Sequence, residues 1–300
     1  MNKYIDWLNK EGFRDFEQNI PMKELTSFQL GGPADIVLYP KGEEETIHGI
    51  LTCRKYNIPY MVIGKGTNLL ISDRGLEGVV IALRKDFSKI EVNGNEIYAQ
   101  SGALLKDVAE KAWEHSLTGM ETLHGIPGSV GGAITMNAGA YGGETKDVVS
   151  SVRALTQDGK IVEYSNQEMA FRYRRSLVED EGLIILGATY TLKSGNQEEI
   201  REAMDDFWNR RLSKQPLDMP SAGSTFKRPT GYFAGKLIDD SGLRGLRHGG
   251  AQVSEKHCGF VVNRDSATTK DVRELIEIIQ KTVYDKFGVS LETEIKVIGR

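Results

Sequence analysis

The stretch HGIPGSVGGAITMNAGAYGG, His124 to Gly143, carries seven glycines, at positions 125, 128, 131, 132, 139, 142 and 143, and no Lys, Arg, Asp or Glu. With 33 glycines in 300 residues, a window of this length would ordinarily hold about two. Glycine costs conformational entropy on folding and is kept where φ must be positive or where a backbone must come very close to something else. An uncharged segment of Gly, Ala and Ser presents main-chain N–H groups to a large, flat or anionic ligand. The same composition also suits a set of turns linking short buried strands. Glycine content alone leaves both readings open.

A second glycine cluster lies upstream. The apolar run Tyr60-Met-Val-Ile63 reads as a strand and empties into Gly64-Lys-Gly-Thr-Asn-Leu-Leu70. A strand running into Gly-x-Gly is a common way for main-chain amides to meet phosphate. Two familiar versions fail here. A Rossmann fingerprint needs a third glycine where Leu69 stands, and a P-loop needs its lysine after a second glycine, whereas Lys65 directly follows Gly64. A dinucleotide held at this turn therefore requires another scaffold, and a plain tight turn is the alternative.

Bulk properties narrow the class. Hydrophobic content of 39% and charged content of 27% describe an ordinary globular chain, long enough for two or three packed units. A net charge of −4 gives no electrostatic case for nucleic acid or an anionic membrane surface. The N-terminal MNKYIDWLNKEGF has no apolar h-region, and no run approaches the roughly 18 apolar residues of a membrane span. Cys53 and Cys258 form no metal-binding or disulfide pattern, which fits a reducing cytoplasm.

The remaining periodicities predict an alternation of strands and helices. Residues 4 to 12 read as a short helix, Asp35 to Tyr39 as a strand stopped by Pro40, and Glu43 to Tyr56 as a helix. Val79 to Leu83 is a strand, and Ile90 to Val92 with Ile97 to Ala99 form a hairpin around Asn93-Gly94. A helix spans Leu104 to Leu117. A hairpin of Val148 to Thr156 and Lys160 to Tyr164 turns at Asp158-Gly159, and Ile184 to Leu192 is a strand. The helix Asn196 to Leu212, with Ile200, Ala203, Phe207 and Arg211 on one face, leads into a linker, Ser213 to Pro220. Beyond it, a helix over Asp271 to Phe287 is capped by Thr268 and Asp271 and stopped by Gly288. Leu291 to Ile298 alternates as a half-buried strand with Glu294 facing outward.

Two motifs could carry chemistry. Phe171-Arg-Tyr-Arg-Arg-Ser176 offers guanidinium forks for a carboxylate or phosphate, or else a basic face stitched to the acids at 179 to 181. Ser221-Ala-Gly-Ser-Thr-Phe-Lys-Arg-Pro229 contains Ser224 and Lys227 at S-x-x-K spacing, the pattern of serine acyl-transferases, but without the companion S-D-N and K-T-G elements. Histidines 48, 115, 124, 248 and 257 show no metal-ligand spacing, so no metal is expected and each reads as structural.

Taken in order, IGKGTNLL (63–70), GIPGSVGGAITMNAGAYGGE (125–144), FRYRRS (171–176), SAGSTFKRP (221–229), AGKLID (234–239) and LETEIKVIG (291–299) resemble the UDP-N-acetylenolpyruvoylglucosamine reductase family, also known as UDP-N-acetylmuramate dehydrogenases. The resemblance covers roughly residues 20 to 300. It implies an α+β fold: a two-lobed FAD-binding region of the vanillyl-alcohol oxidase/p-cresol methylhydroxylase type, plus a smaller α+β substrate domain. The implied division is 1–83 for the first FAD lobe, with the C-terminal strand 291–300 free to pack on it, 84–195 for the second, and 196–300 for the substrate domain.

The same resemblance implies non-covalent FAD held by Gly64, Lys65, Gly66, Thr67, Asn68 and Leu69, and by Gly125, Ile126, Pro127, Gly128, Ser129, Gly131, Gly132, Asn137, Ala138 and Gly139. It implies NADPH as reductant and a UDP-sugar enolpyruvyl ether as substrate, in a cytoplasmic monomer with no nucleic-acid or membrane partner. Ser224 matches the family's proton donor, and Arg174 and Glu294 match the pair that polarises the substrate carboxylate. These residue types suit the chemistry. A carbanion left at the α-carbon can take a proton from a serine hydroxyl, and charge moving onto the carboxylate calls for a cation and an acid. Tyr173, Lys227, Arg228 and Lys236 fall to the sugar and diphosphate. Arg174 and Ser224 are only 50 positions apart, which matches the short form of the family, and Arg228 stands where the longer form has an asparagine. Rival readings are another flavin oxidase of the same fold, a serine acyl-transferase built on Ser224 and Lys227, and a non-catalytic nucleotide-sugar binder.

Overall fold

The computed structural model describes residues 3–300; Met1 and Asn2, the start of the N-terminal segment read above, lie outside the described residues. The chain packs as two units. The first comprises residues up to Phe16, Val37–Lys65 and Val79–Arg211, and the second Glu17–Ile36, Gly66–Gly78 and Leu212–Arg300. The three consecutive lobes expected from the sequence partition the chain by role; packing partitions it into these two discontinuous sets. The turn Gly64–Leu69 is itself one of the crossings, with Lys65 ending one segment and Gly66 opening another.

The first unit is built on a five-stranded antiparallel sheet. Its order is Ile161–Ser165, Val149–Leu155, Ile184–Thr191, Glu96–Gln100 and Ile90–Asn93. Both expected hairpins form: Leu155 pairs with Ile161 around Gly159 at φ 83°, and Asn93 with Glu96 around Gly94 at φ 61°. Glycine is required at each because φ is positive there. Val108, Ala109 and Ala112 of helix Leu105–Glu114 and Val130, Ala133 and Ile134 of helix Val130–Met136 share one core with Ile97, Val152, Ile185 and Tyr190 of the sheet. The expected helix 104–117 stops early, because Leu117–Thr118 pairs with Lys193–Ser194 as a short ribbon. Strand Tyr60–Ile63 runs parallel to Val79–Ala82.

The second unit holds the antiparallel strands Arg247–His248, Ala251–Val253 and Val261–Asn263, covered by helix Thr269–Phe287. That helix begins with the expected capping box: Thr268 Oγ1 accepts from Asp271 N–H at 3.1 Å, and Asp271 accepts from Thr268 N–H at 2.8 Å. Gly288 ends it at φ 66°. The expected strand Leu291–Ile298 is shortened to Lys296–Ile298. Thr293 still bridges Phe226, but Lys296 has turned to pair in parallel with Leu69. Changing partner bends the chain at Ile295 and ends the alternation, so Val297 is 45% exposed. Among the described residues no helix is long and apolar enough to cross a membrane.

Candidate functional site

In the first unit the two glycine clusters meet. A Cβ added to Gly64 would collide with the Ser129 hydroxyl and come within 2.9 Å of Ser129 Cβ, so bare backbone is what allows the two segments to touch. The stretch after His124 is more ordered than either reading of its composition anticipated. Glu121–His124 and Val130–Met136 are short helices, and Val130 and Gly131 donate their N–H groups to Ala103 O (2.8 Å) and Ser101 O (2.9 Å). Those two amides are spent inside the fold.

Most glycines of this stretch answer to the protein's own packing. A Cβ on Gly131 would strike Ser101 Oγ, one on Gly143 Thr122 Oγ1, and one on Gly139 would lie 2.6 Å from Gly143 O. Gly125 abuts Arg211, whose Nε would be 3.0 Å from the added carbon. Arg211 does lie on the inward face of its helix, at 6% exposure, and desolvation lowers its pKa. Gly132 is the exception. It is exposed, and outside its own helix an added Cβ would have only Ser129 Oγ as a neighbour, at 3.7 Å.

The buried side chain of Asn137, which the resemblance assigns to the cofactor, makes its hydrogen bonds within the protein. Its Nδ2 donates to Glu144 Oε2 (3.0 Å) and Arg172 O (3.1 Å), and its Oδ1 accepts from Lys146 N–H (3.0 Å). It also caps the preceding helix at φ 41°. Gly139–Ala140 and Gly143–Glu144 then pair across Tyr141 and Gly142, both at positive φ, as a primed hairpin turn requires.

The arginine motif splits by role. Arg172 and Arg175 exchange both main-chain hydrogen bonds, closing a tight turn with Tyr173 and Arg174 at its tip. Arg172 and Arg175 are ion-paired to Asp180, as the neutralised-face reading anticipated. Arg174 points elsewhere: its Nη2 donates to Gly139 O at 3.2 Å, and its guanidinium lies 5.0 Å from the Tyr173 ring centroid. Its φ of 55° is unusual for a side-chain-bearing residue.

The second unit brings Ser224 and Glu294 onto paired segments. Thr225 is buried, takes a hydrogen bond on its carbonyl from Glu294 N–H (2.8 Å), and gives its own N–H to Gly259 O (2.8 Å). Its hydroxyl accepts from Val261 N–H at 2.9 Å. The backbone of the half-buried Ser224 is thus fixed from the next residue on. Asn68 Nδ2 donates to Glu294 O at 3.2 Å, and Lys296 N–H to Asn68 O at 2.9 Å, so part of the expected cofactor turn props the glutamate segment. Lys227 N–H bonds Glu292 O, and its ammonium is ion-paired to Glu292. Lys236 is paired with Asp240 at 2.8 Å, which holds its ammonium above the ordinary lysine range. Between Arg228 and Lys236 stand two aromatics that no spacing rule singled out, Tyr232 and Phe233, both exposed.

The histidines behave as structural residues: His124 Nε2 is 2.8 Å from Glu110, His248 Nε2 2.7 Å from Glu274, and His257 Nδ1 accepts from Gly259 N–H. Among the described residues no cluster of His, Cys, Asp and Glu could hold a metal ion.

Comparison with known proteins agrees with this arrangement. Residues 34–165 match the family model described as an FAD binding domain, and residues 215–298 the C-terminal domain of UDP-N-acetylenolpyruvoylglucosamine reductase. The chain is 51% identical over 296 residues to the reductase of that name from Clostridioides difficile, covering 99% of this chain and 97% of the relative. It is 52% identical over 281 residues to that of Caldanaerobacter subterraneus, covering 94% and 93%. The crystal structure of the Thermus caldophilus reductase superposes with a TM-score of 0.82 at 35% identity, over 95% of this chain and 99% of that one. A berberine bridge enzyme variant, at 15% identity and a TM-score of 0.50 over 73% of this chain and 51% of that one, shares the fold alone. The chain belongs to the UDP-N-acetylenolpyruvoylglucosamine reductase family and is an FAD-dependent oxidoreductase.

Proposed function

We propose that this protein reduces the enolpyruvyl ether of UDP-N-acetylglucosamine to UDP-N-acetylmuramate, in the cytoplasmic synthesis of peptidoglycan precursors, as a monomer using NADPH. Gly132 provides the fit test for the cofactor. Glycine in a helix costs up to about 1 kcal/mol against alanine, and nothing in the chain crowds this one, so bare backbone there suits a ligand lying close to it. Residues Gly64–Leu69 and the segment from Gly125 to Gly139 would hold FAD non-covalently, with Asn137 acting through the shape of the segment. In this reading 1–83 and 84–195 supply the FAD lobes and 196–300 the substrate domain.

Bound FAD, once reduced by NADPH, would supply the hydride for the β-carbon of the enolpyruvyl group. Ser224 Oγ–H gives a proton to the α-carbon, which needs no activated acid because the carbanion there is strongly basic. Arg174 and Glu294 stabilise the charge that moves onto the substrate carboxylate. Tyr173, Lys227, Arg228 and Lys236 orient the sugar nucleotide. The observation that carries the assignment of Ser224 is the hydrogen bond from Glu294 N–H to Thr225 O, which sets proton donor and acid on adjoining segments. Ser224→Ala is expected to keep reduction of the flavin by NADPH and to lose at least ~100-fold in its reoxidation by the enolpyruvyl substrate. Full turnover by this variant in stopped flow would remove Ser224 from the mechanism.

A further inference from the structure

Phe233 is 60% exposed, more than any other large apolar side chain among the described residues. A phenyl ring in water forfeits burial energy, so its position calls for a reason. The ring is not on a loose tail. Tyr232 N–H donates to Pro229 O (3.1 Å), Gly231 turns the chain at φ 79°, and the Phe233 carbonyl accepts from Lys236 and Leu237 N–H, each at 3.1 Å. Arg228 Nε donates to Tyr232 O at 3.3 Å, and its guanidinium lies 4.0 Å from the Phe233 centroid. One face of the ring is thereby charged and fixed by a cation–π contact, while most of the ring still meets solvent.

A solvent-facing aromatic backed by a guanidinium, in a segment that also carries Lys227 and Lys236, matches a nucleoside diphosphate: an uncharged flat base beside two phosphates. We propose that Phe233, supported by Arg228, is the platform on which the uracil ring of the substrate stacks, an inference that rests on the UDP-sugar reading above. Arg228 positions the ring, and the ring contributes to binding without taking part in the chemical step.

The test uses the holoenzyme and two substrates, the UDP-linked enolpyruvyl sugar and the same sugar 1-phosphate lacking uridine. Phe233→Ala should raise KM for the UDP-linked substrate about 10-fold with kcat retained, a loss within the range of base–aromatic stacking. It should leave kcat/KM for the truncated substrate unchanged, and Phe233→Tyr should restore the wild-type KM. An equal rise in KM on both substrates, or no rise on either, would overturn the platform. So would a change in sedimentation on Phe233→Ala, which would make the ring a contact between copies of the chain. Wild-type protein that fails to turn over the UDP-linked substrate would instead overturn the functional reading itself, and the proposal with it.

Discussion

Gly132 allows the cofactor assignment to be separated from ordinary packing by one methyl group. Gly132→Ala adds a Cβ inside helix Val130–Met136, where φ is not in the left-handed region and the nearest outside atom is Ser129 Oγ at 3.7 Å. Alanine there should stabilise the apoprotein by about 0.5–1 kcal/mol, through helix propensity and a less flexible unfolded chain. If FAD lies against this backbone, the same methyl forces the two apart, and an overpacked contact costs about 1–3 kcal/mol, or roughly 5- to 150-fold in affinity. Apoprotein melting should therefore rise while the flavin dissociation constant, read by fluorescence titration, rises too. Gly143→Ala is the control, because its Cβ collides with Thr122 and should lower the melting temperature of apoprotein and holoprotein alike. Gly132→Ala binding flavin as tightly as wild type would refute the argument, since a glycine that the fold does not crowd would then not be required by the ligand either.

Glu110 is held below the ordinary carboxylate value of 4.5, first by its hydrogen bond from Arg201 and then by His124. A depressed folded-state pKa means that this stabilisation is present above about pH 4.5 and is lost as pH falls through the lower folded value. Glu110→Gln should thus cost about 1–3 kcal/mol in denaturant melts near neutrality, with the gap from wild type closing in acid; a gap constant down to about pH 3 would contradict it. Burial pushes the Cys53 thiol up to about 12 and the Cys258 thiol to about 11. Neither should react with a thiol reagent at about pH 8 until the protein unfolds, and rapid labelling of native protein would show that one of them is accessible as thiolate.

The legible parts of this fold were those whose causes are local. Asp158-Gly159 sits between two alternating runs, and Gly288 ends a helix that Thr268 and Asp271 begin, so turn and cap chemistry can be read from adjacent residues. The resemblance left the C-terminal strand free to pack on the first lobe, but the register that pairs Lys296–Ile298 with Leu69–Ile71 joins segments far apart in the chain and has no local signal. Its consequence, the bend at Ile295, could not be inferred from the alternation of Leu291 to Val297 itself. The glycine stretch is ambiguous for another reason. Glycine abundance signals close approach but not what approaches, and here the Ser101 and Thr122 side chains are what approach Gly131 and Gly143.

The arginine motif shows why a role cannot be read from residue type when neighbours share it. FRYRRS offers three equal guanidinium groups in sequence, and the fold makes them unequal through the backbone. Mutual hydrogen bonds between Arg172 and Arg175 force Arg174 to φ 55°, a conformation that costs an L-residue about 1–3 kcal/mol. That cost is offset by the buried Asn137 amide, which grips Arg172 O and the Glu144 carboxylate together and so locks the turn against the glycine hairpin. Arg172 and Arg175 are ion-paired to Asp180, whereas the Arg174 guanidinium donates to Gly139 O. Asn137 therefore ties the Arg172–Arg175 turn to the glycine hairpin through its buried side chain, which gives a polar residue a structural reason to stand in this uncharged segment.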